Sequence, residues 1–256
     1  MSTAGSALRL AVGTLTVLPT GPLDRVDRAV TRWAMMLAPL AVLPLAVLAG
    51  GLAWAGTALG WPRMAVGLVA VAGLALGTRA LHLDGLADTV DGLGTGWDRD
   101  RALEVMRQGD VGPMGVVALV LVIGVQAAAV GGLVTGWRSA VAVAVLVCCS
   151  RAVLSVVCLQ GVPAARPEGL GAAVAGSVPV GGALVSWVVV TVALAATWPL
   201  LDGRPLRGVL AALLALVVAA ALVGWCVHRL GGVTGDVMGA CVEVALTVLL
   251  LGAAAA

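Results

Sequence analysis

Runs of about twenty residues without a charged side chain recur along this chain, and a run of that length and character folds most readily inside a bilayer. No charge occurs between Trp33 and Trp61, which leaves room for one helix and a turn. Further apolar runs cover about 64–81, 113–135, 139–159 with Arg151 inside, 180–200, 208–227 and 237–256 with Glu243 inside. Backbone in lipid must satisfy its own hydrogen bonds, so these runs predict an all-α fold, a polytopic transmembrane helical bundle of about seven spans. Composition agrees: the chain is 61% hydrophobic and 11% charged, where a soluble domain averages about 45–50% and about 25%. Trp33, Trp61, Trp137 and Trp198 fall at span ends, where interfacial tryptophans collect. The stretch 8–18 is too short to cross and is expected to lie on or dip into the membrane. The whole chain, 1–256, reads as a single integral-membrane domain with no internal repeat.

Charge sets the orientation. The segment before the first span carries Arg9, Arg25, Arg28 and Arg32, and the one between the second and third carries Arg79, Arg99, Arg101 and Arg107. Arg166 and Arg229 lie in the next alternate loops, whereas the other side has only Arg63, Arg138, Arg204 and Arg207. The positive-inside rule places the larger set, and the N-terminus, on the cytoplasmic side of the cell membrane. Three polar segments, about 82–112, 163–171 and 231–240, then share one cytosol-facing end. The net charge of +2 is too small to argue for nucleic acid as a partner. None of the five cysteines forms a C-x-x-C pair, so they read as small buried hydrophobes.

The densest polar cluster is HLDGLADTVDG, residues 82–92. Asp84, Asp88 and Asp91 stand at i, i+4 and i+7, which on a helix gathers three carboxylates within roughly 60°. Like charges on one face repel, and desolvating them beside a membrane is costly, so a cation among them is expected. Oxygen-only ligands suit a hard divalent ion, Mg²⁺ or Mn²⁺. The plainer reading is a solvated first turn, where acids complement the helix dipole. Gly85 and Gly92 argue against it, since each costs about 1 kcal/mol relative to Ala on a merely solvated helix. They would instead admit close approach of a ligand or another helix.

The other polar residues each leave two readings open. Arg99, Arg101 and Arg107 suit phosphate contacts, but also positive-inside charge and i,i+3 pairing, as between Arg101 and Glu104. Arg151, inside a span, needs either an ionic partner such as Glu243 or a substrate. Arg166 and Glu168 sit in the glycine-containing loop ARPEGLG, and Thr234 and Asp236 in GGVTGDVMGA ahead of the last span. Backbone amides there could hold an anion, or Asp236 could simply cap a helix. His82 points away from the aspartate face of an ideal helix, which favours a packing role.

Taken in order and spacing, LHLDGLADTVDG, RALEVMR, ARPEGLG and GGVTGDVMGA closely resemble the cobalamin synthase family, the adenosylcobinamide-GDP ribazoletransferases. The resemblance runs from about residue 8 to 251. It implies a polytopic membrane enzyme that uses Mg²⁺ to join adenosylcobinamide-GDP to α-ribazole, or its 5′-phosphate, giving adenosylcobalamin, or its 5′-phosphate, and GMP. It implies metal ligation by Asp84, Asp88 and Asp91, with Asp91 or Asp236 accepting the hydroxyl proton. Arg99, Arg101, Arg107, Arg151, Arg166, Glu168 and Thr234 are the expected substrate contacts. Oligomeric state is left open. Where many relatives carry Asp-Ser-Arg, this chain has Gln108-Gly109-Asp110, so Asp110 or Arg107 would take over that arginine's part. The alternatives are a CDP-alcohol phosphotransferase, whose DG-x-x-AR signature is absent because Leu86-Ala87-Asp88 follows Asp84-Gly85, and a cation or solute transporter, which tends to show internal repeats.

Overall fold

The structure, a computed structural model, describes residues 2–22 and 26–255; Arg25 and Ala256, which bear on the charge count and the last span, lie outside them. The helices are α1 (Thr3–Leu15), α2 (Arg28–Met36), α3 (Ala38–Ala41), α4 (Leu43–Ala58), α5 (Arg63–Gly77), α6 (Leu81–Gly94), α7 (Arg99–Gln108), α8 (Pro113–Leu133), α9 (Trp137–Ser150), α10 (Leu154–Val157), α11 (Leu170–Val174), α12 (Val180–Thr197), α13 (Pro205–Leu230) and α14 (Gly235–Ala254). Among the described residues extended pairing is limited to isolated bridges, Leu159 with Val178 and Ala164 with Val233.

Five segments are long and apolar enough to cross a bilayer: α8, α9 running on into α10, α12 with the turn that follows it, α13 and α14. A sixth is reached by taking α5 and α6 together, although the chain bends by 92° between them. The expected seven thus become five or six, and the difference lies at the start. The run from Trp33 to Trp61 is divided because Pro39 and Pro44 sit in the first turns of α3 and α4, where a missing N–H breaks the preceding helix. The 16 residues of α4 reach only about 24 Å, and the 15 of α5 about 22 Å, short of a hydrocarbon core of about 30 Å. α5 ends in a turn through Arg79 and Ala80, both left-handed (φ 54° and 55°). That conformation costs about 1–2 kcal/mol per non-glycine residue. The Arg79 guanidinium holds the turn against α1 by donating to the carbonyls of Gly13 and Thr14.

Glycine and alanine let the helices touch. A Cβ on Gly67 would collide with the Ala127 carbonyl, and one on Gly131 with that of Arg63, so α5 lies antiparallel and close against α8. The buried side chains form two groups along the bundle axis. One joins α1–α3, α7, α10 and the facing halves of α13 and α14. The other joins α4, α5, α8, α9, α12 and the remaining halves. Trp198 is fully buried in the second group, so it is a core side chain and not the interfacial anchor expected of it. The polar segments 82–112, 163–171 and 231–240 do meet at one end. Asp91 reaches the start of α8, Gly85 touches the start of α14, and Ala165 bonds Val233.

Candidate active site

Two glycines bring the acidic residues together. A Cβ on Gly85 would lie 2.6 Å from the Asp236 carbonyl oxygen, and one on Gly239 3.0 Å from the His82 Cα. α6 and α14 therefore meet backbone to backbone at Gly85, while Gly92 admits α7 at Ala102 and Met106, and Asp84 and Asp88 come beside Asp236. Asp88 feels the charges of Asp84, Asp236 and Asp91, with Arg166 as the opposing cation. Among the described residues neither Asp84 nor Asp88 receives a hydrogen bond or forms an ion pair.

The loop before α11 completes this end. Ala165 N–H donates to the Val233 carbonyl and Val233 N–H to that of Pro163. Gly171 lies so close to Thr234 that a Cβ would come within 2.9 Å of its Cα. The loop so fixed directs Arg166 toward Asp236 (3.8 Å between Nη1 and Oδ2), while its other terminal nitrogen donates to the Leu103 carbonyl. Thr234 caps α14 by accepting from Val237 N–H, and its hydroxyl donates to Asp236 Oδ2. The α14 cap is therefore Thr234, and Asp236 is free to face the site.

Asp91 is used differently. Its Oδ2 accepts from Gly112 N–H at 2.7 Å and its Oδ1 from Gly115 N–H at 2.9 Å. These amides open α8, whose first N–H groups have no helical partner and whose dipole attracts an anion. Any side chain at Gly112 or Gly115 would displace the carboxylate. Among the described residues no three His, Cys, Asp or Glu side chains stand as a ready ion cage. The expected set of Asp84, Asp88 and Asp91 is thus not assembled: the first two face Asp236, and the third is drawn to the end of α8.

The expected substrate contacts also divide. Arg99 is a tether, donating from Nε to the Leu230 carbonyl and from Nη2 to that of Ala165. Arg101 pairs with Glu104 at 2.9 Å on the exposed face of α7. Arg107 is exposed in the last turn of α7, which Gly109 ends in a left-handed conformation. Arg107 shares a shallow depression with Arg166, outside the cavity described next. Arg151 is wholly buried inside its span, bonded to Ser150 Oγ and the Val147 carbonyl and facing the charge of Glu243. It does not line the cavity described next, so its setting is that of an interior charge opposite Glu243 and not a substrate contact.

A cavity of about 210 Å³ opens between these elements, lined by Asp84, Asp236, Thr234, Arg166 and Glu168 on its polar side. Its apolar side includes Leu15 of α1, Met35 of α2, Leu154 of α10 and Met238 of α14. Sequence reasoning missed these four, and no local signal separates them from other core residues. His82, set aside from the aspartate face in the sequence, is buried and also lines the cavity.

Comparison with known proteins agrees with this layout. The family model described as cobalamin-5-phosphate synthase (CobS) matches residues 7–254. A protein of Nocardioides sp. named adenosylcobinamide-GDP ribazoletransferase is 49% identical over 249 residues, covering 97% of this chain and 98% of its own. Proteins of the same name from Frankia casuarinae and Bradyrhizobium diazoefficiens are 40% and 38% identical, with at least 92% of each chain covered. No solved structure matches. With the match running nearly end to end and the acidic helix, the arginine loop and the Thr-Gly-Asp turn meeting at one end of a helical membrane bundle, this chain belongs to the cobalamin-5-phosphate synthase family.

Proposed function

We propose that the protein is a Mg²⁺-dependent adenosylcobinamide-GDP ribazoletransferase of the cell membrane, with its site open to the cytosol. A hydroxyl of α-ribazole, or of its 5′-phosphate, attacks the phosphorus attached to cobinamide. The new P–O bond forms, the bond to GMP breaks, and the hydroxyl proton is lost. The observation that carries this reading is the pair Asp84 and Asp88, two carboxylates without a partner among the described residues, beside Asp236 in a chain of this family.

The donor set fits Mg²⁺. This ion keeps several waters and is usually held by one or two carboxylates together with substrate phosphates, so a complete protein cage is not required. Asp84 and Asp88 would supply the carboxylates. When bound, the ion would neutralise charge on the diphosphate and its leaving oxygen. Phosphoryl transfer otherwise demands positioning and charge compensation. Arg166, on the loop fixed to α14 and in the wall of the cavity, would meet phosphate oxygens. Asp236 accepts the Thr234 hydroxyl and faces Arg166 through Oδ2, which leaves Oδ1 to take the proton of the attacking hydroxyl. Asp91, tied to α8, positions the helix that carries the two ligands.

The test supplies membranes holding this chain with adenosylcobinamide-GDP, α-ribazole and Mg²⁺. Release of GMP with a new corrinoid, lost on chelation and restored by Mg²⁺, is expected. Release of CMP from a CDP-alcohol, without that activity, would overturn the reading.

A further inference from the structure

His82 is 3% exposed, and neither ring nitrogen has a hydrogen-bond partner among the described residues. It lines the cavity together with Asp84 and Asp236 and with the buried side chains of Leu15, Met35, Leu154 and Met238. Leaving a buried polar atom unpaired is unfavourable: the His82 backbone packs on Gly239 and the nearby Arg151 charge supplies no acceptor, so the ring nitrogens have no partner among the described residues of the fold. The apolar side of this cavity, with one imidazole among its lining residues, suits a largely apolar heteroaromatic ring that has a single free ring nitrogen.

We infer that this cavity receives the base of the acceptor riboside, with His82 donating a hydrogen bond to the free ring nitrogen of that base. The inference rests on the ribazoletransferase reading. It directs the sugar toward Asp84 and Asp236, where its hydroxyl meets the reacting phosphorus. A guanine is a poorer occupant. It carries donors and acceptors around its edge, and an apolar floor with one imidazole would leave most of them unpaired. His82 is thus a specificity residue for the acceptor and takes no part in binding the nucleotide donor.

His82→Ala should raise the KM for α-ribazole tenfold or more and leave the KM for adenosylcobinamide-GDP within twofold. A phenyl riboside, which lacks the ring nitrogen, should be used equally well by both proteins. An unchanged riboside KM, or an equal rise for both substrates, overturns the inference. A second measurement does not depend on whether the variant folds. The chain has two histidines, so in His228→Gln protein the only imidazole is His82. Its ¹⁵N resonances should move on adding α-ribazole and stay in place with GMP. Resonances unmoved by saturating riboside, in protein that turns over, overturn the inference alone. Unaltered protein that releases no GMP with α-ribazole sinks the underlying reading and this inference with it.

Discussion

Two groups of charge sit within this bundle, and they are built on opposite plans. Near the open end, Asp84, Asp88 and Asp236 face one guanidinium, Arg166, and Asp84 and Asp236 border a cavity. Deeper in, Arg151 faces Glu243, and Gln126 Nε2 donates to Glu243 Oε2 at 2.8 Å and bonds Thr247, with all but Thr247 buried. The deep group balances its charge and is closed. The end group carries an excess of negative charge and is reachable. Burial therefore does not mark the functional site here; uncompensated charge with access does. An excess of carboxylate is unfavourable unless a cation or a polar substrate arrives to meet it, whereas buried opposite charges sealed from the cavity serve to hold helices together.

The comparison is most exposed at Asp88. Asp88→Asn keeps the shape and removes the charge. If the end group holds a cation, turnover should fall by about two orders of magnitude or more, since a bound metal supplies several kcal/mol of charge stabilisation. GMP release by protein whose thermal unfolding is unchanged measures this. Near-normal turnover at limiting Mg²⁺ would remove the distinction between the two groups. Glu243→Leu should do the reverse. It removes the buried charge opposite Arg151, and leaving a buried charge uncompensated costs about 3–5 kcal/mol. Thermal unfolding in detergent should show a large loss of stability, while the folded fraction keeps its KM for both substrates. Arg151→Met added to Glu243→Leu should recover much of that stability. A selective rise in either KM would return Arg151 to the substrate site.

Asp91 sharpens the comparison because it belongs by sequence to the first group and by contacts to the fold. Asp91→Asn leaves one oxygen for two amides, and the amide left unpaired at the start of α8 costs about 1–3 kcal/mol. The expected result is a lower unfolding temperature with turnover per folded molecule within tenfold of the parent. Asp91→Asn that unfolds normally yet loses as much turnover as Asp88→Asn would make Asp91 a third member of the open group.

What could be read from the sequence was what is local. The spans from α8 onward follow from hydropathy alone, and the shared face of Asp84 and Asp88 follows from i,i+4 spacing. Asp91 could not be placed that way, because its partner is the start of a helix twenty-one residues on. Arg99 looked like a phosphate ligand because its acceptors, the carbonyls of Leu230 and Ala165, are far along the chain. His82 was set aside on ideal-helix geometry, which says nothing about the side chains that other helices bring to the first turn beyond a 92° bend. The left-handed pair Arg79 and Ala80 carries no glycine to announce it. Pro39 and Pro44 did carry a signal that the first apolar run is broken, but apolar length outweighed it.

The smallest effect is expected where charge is neither buried nor near the cavity. Arg101 and Glu104 form an exposed i,i+3 pair on α7, with half or more of each side chain in solvent. Solvent screens such a pair, and its loss changes stability by about 0.5 kcal/mol or less. Arg101→Ala should leave unfolding, turnover and both KM values where they were. The same helix carries Arg99, whose guanidinium joins the ends of α13 and the arginine loop, so Arg99→Ala should weaken the site through its frame. Should Arg101→Ala instead raise the KM for adenosylcobinamide-GDP, the nucleotide must lie across the outer face of α7. The open group would then extend beyond the cavity to the shallow depression shared by Arg107 and Arg166.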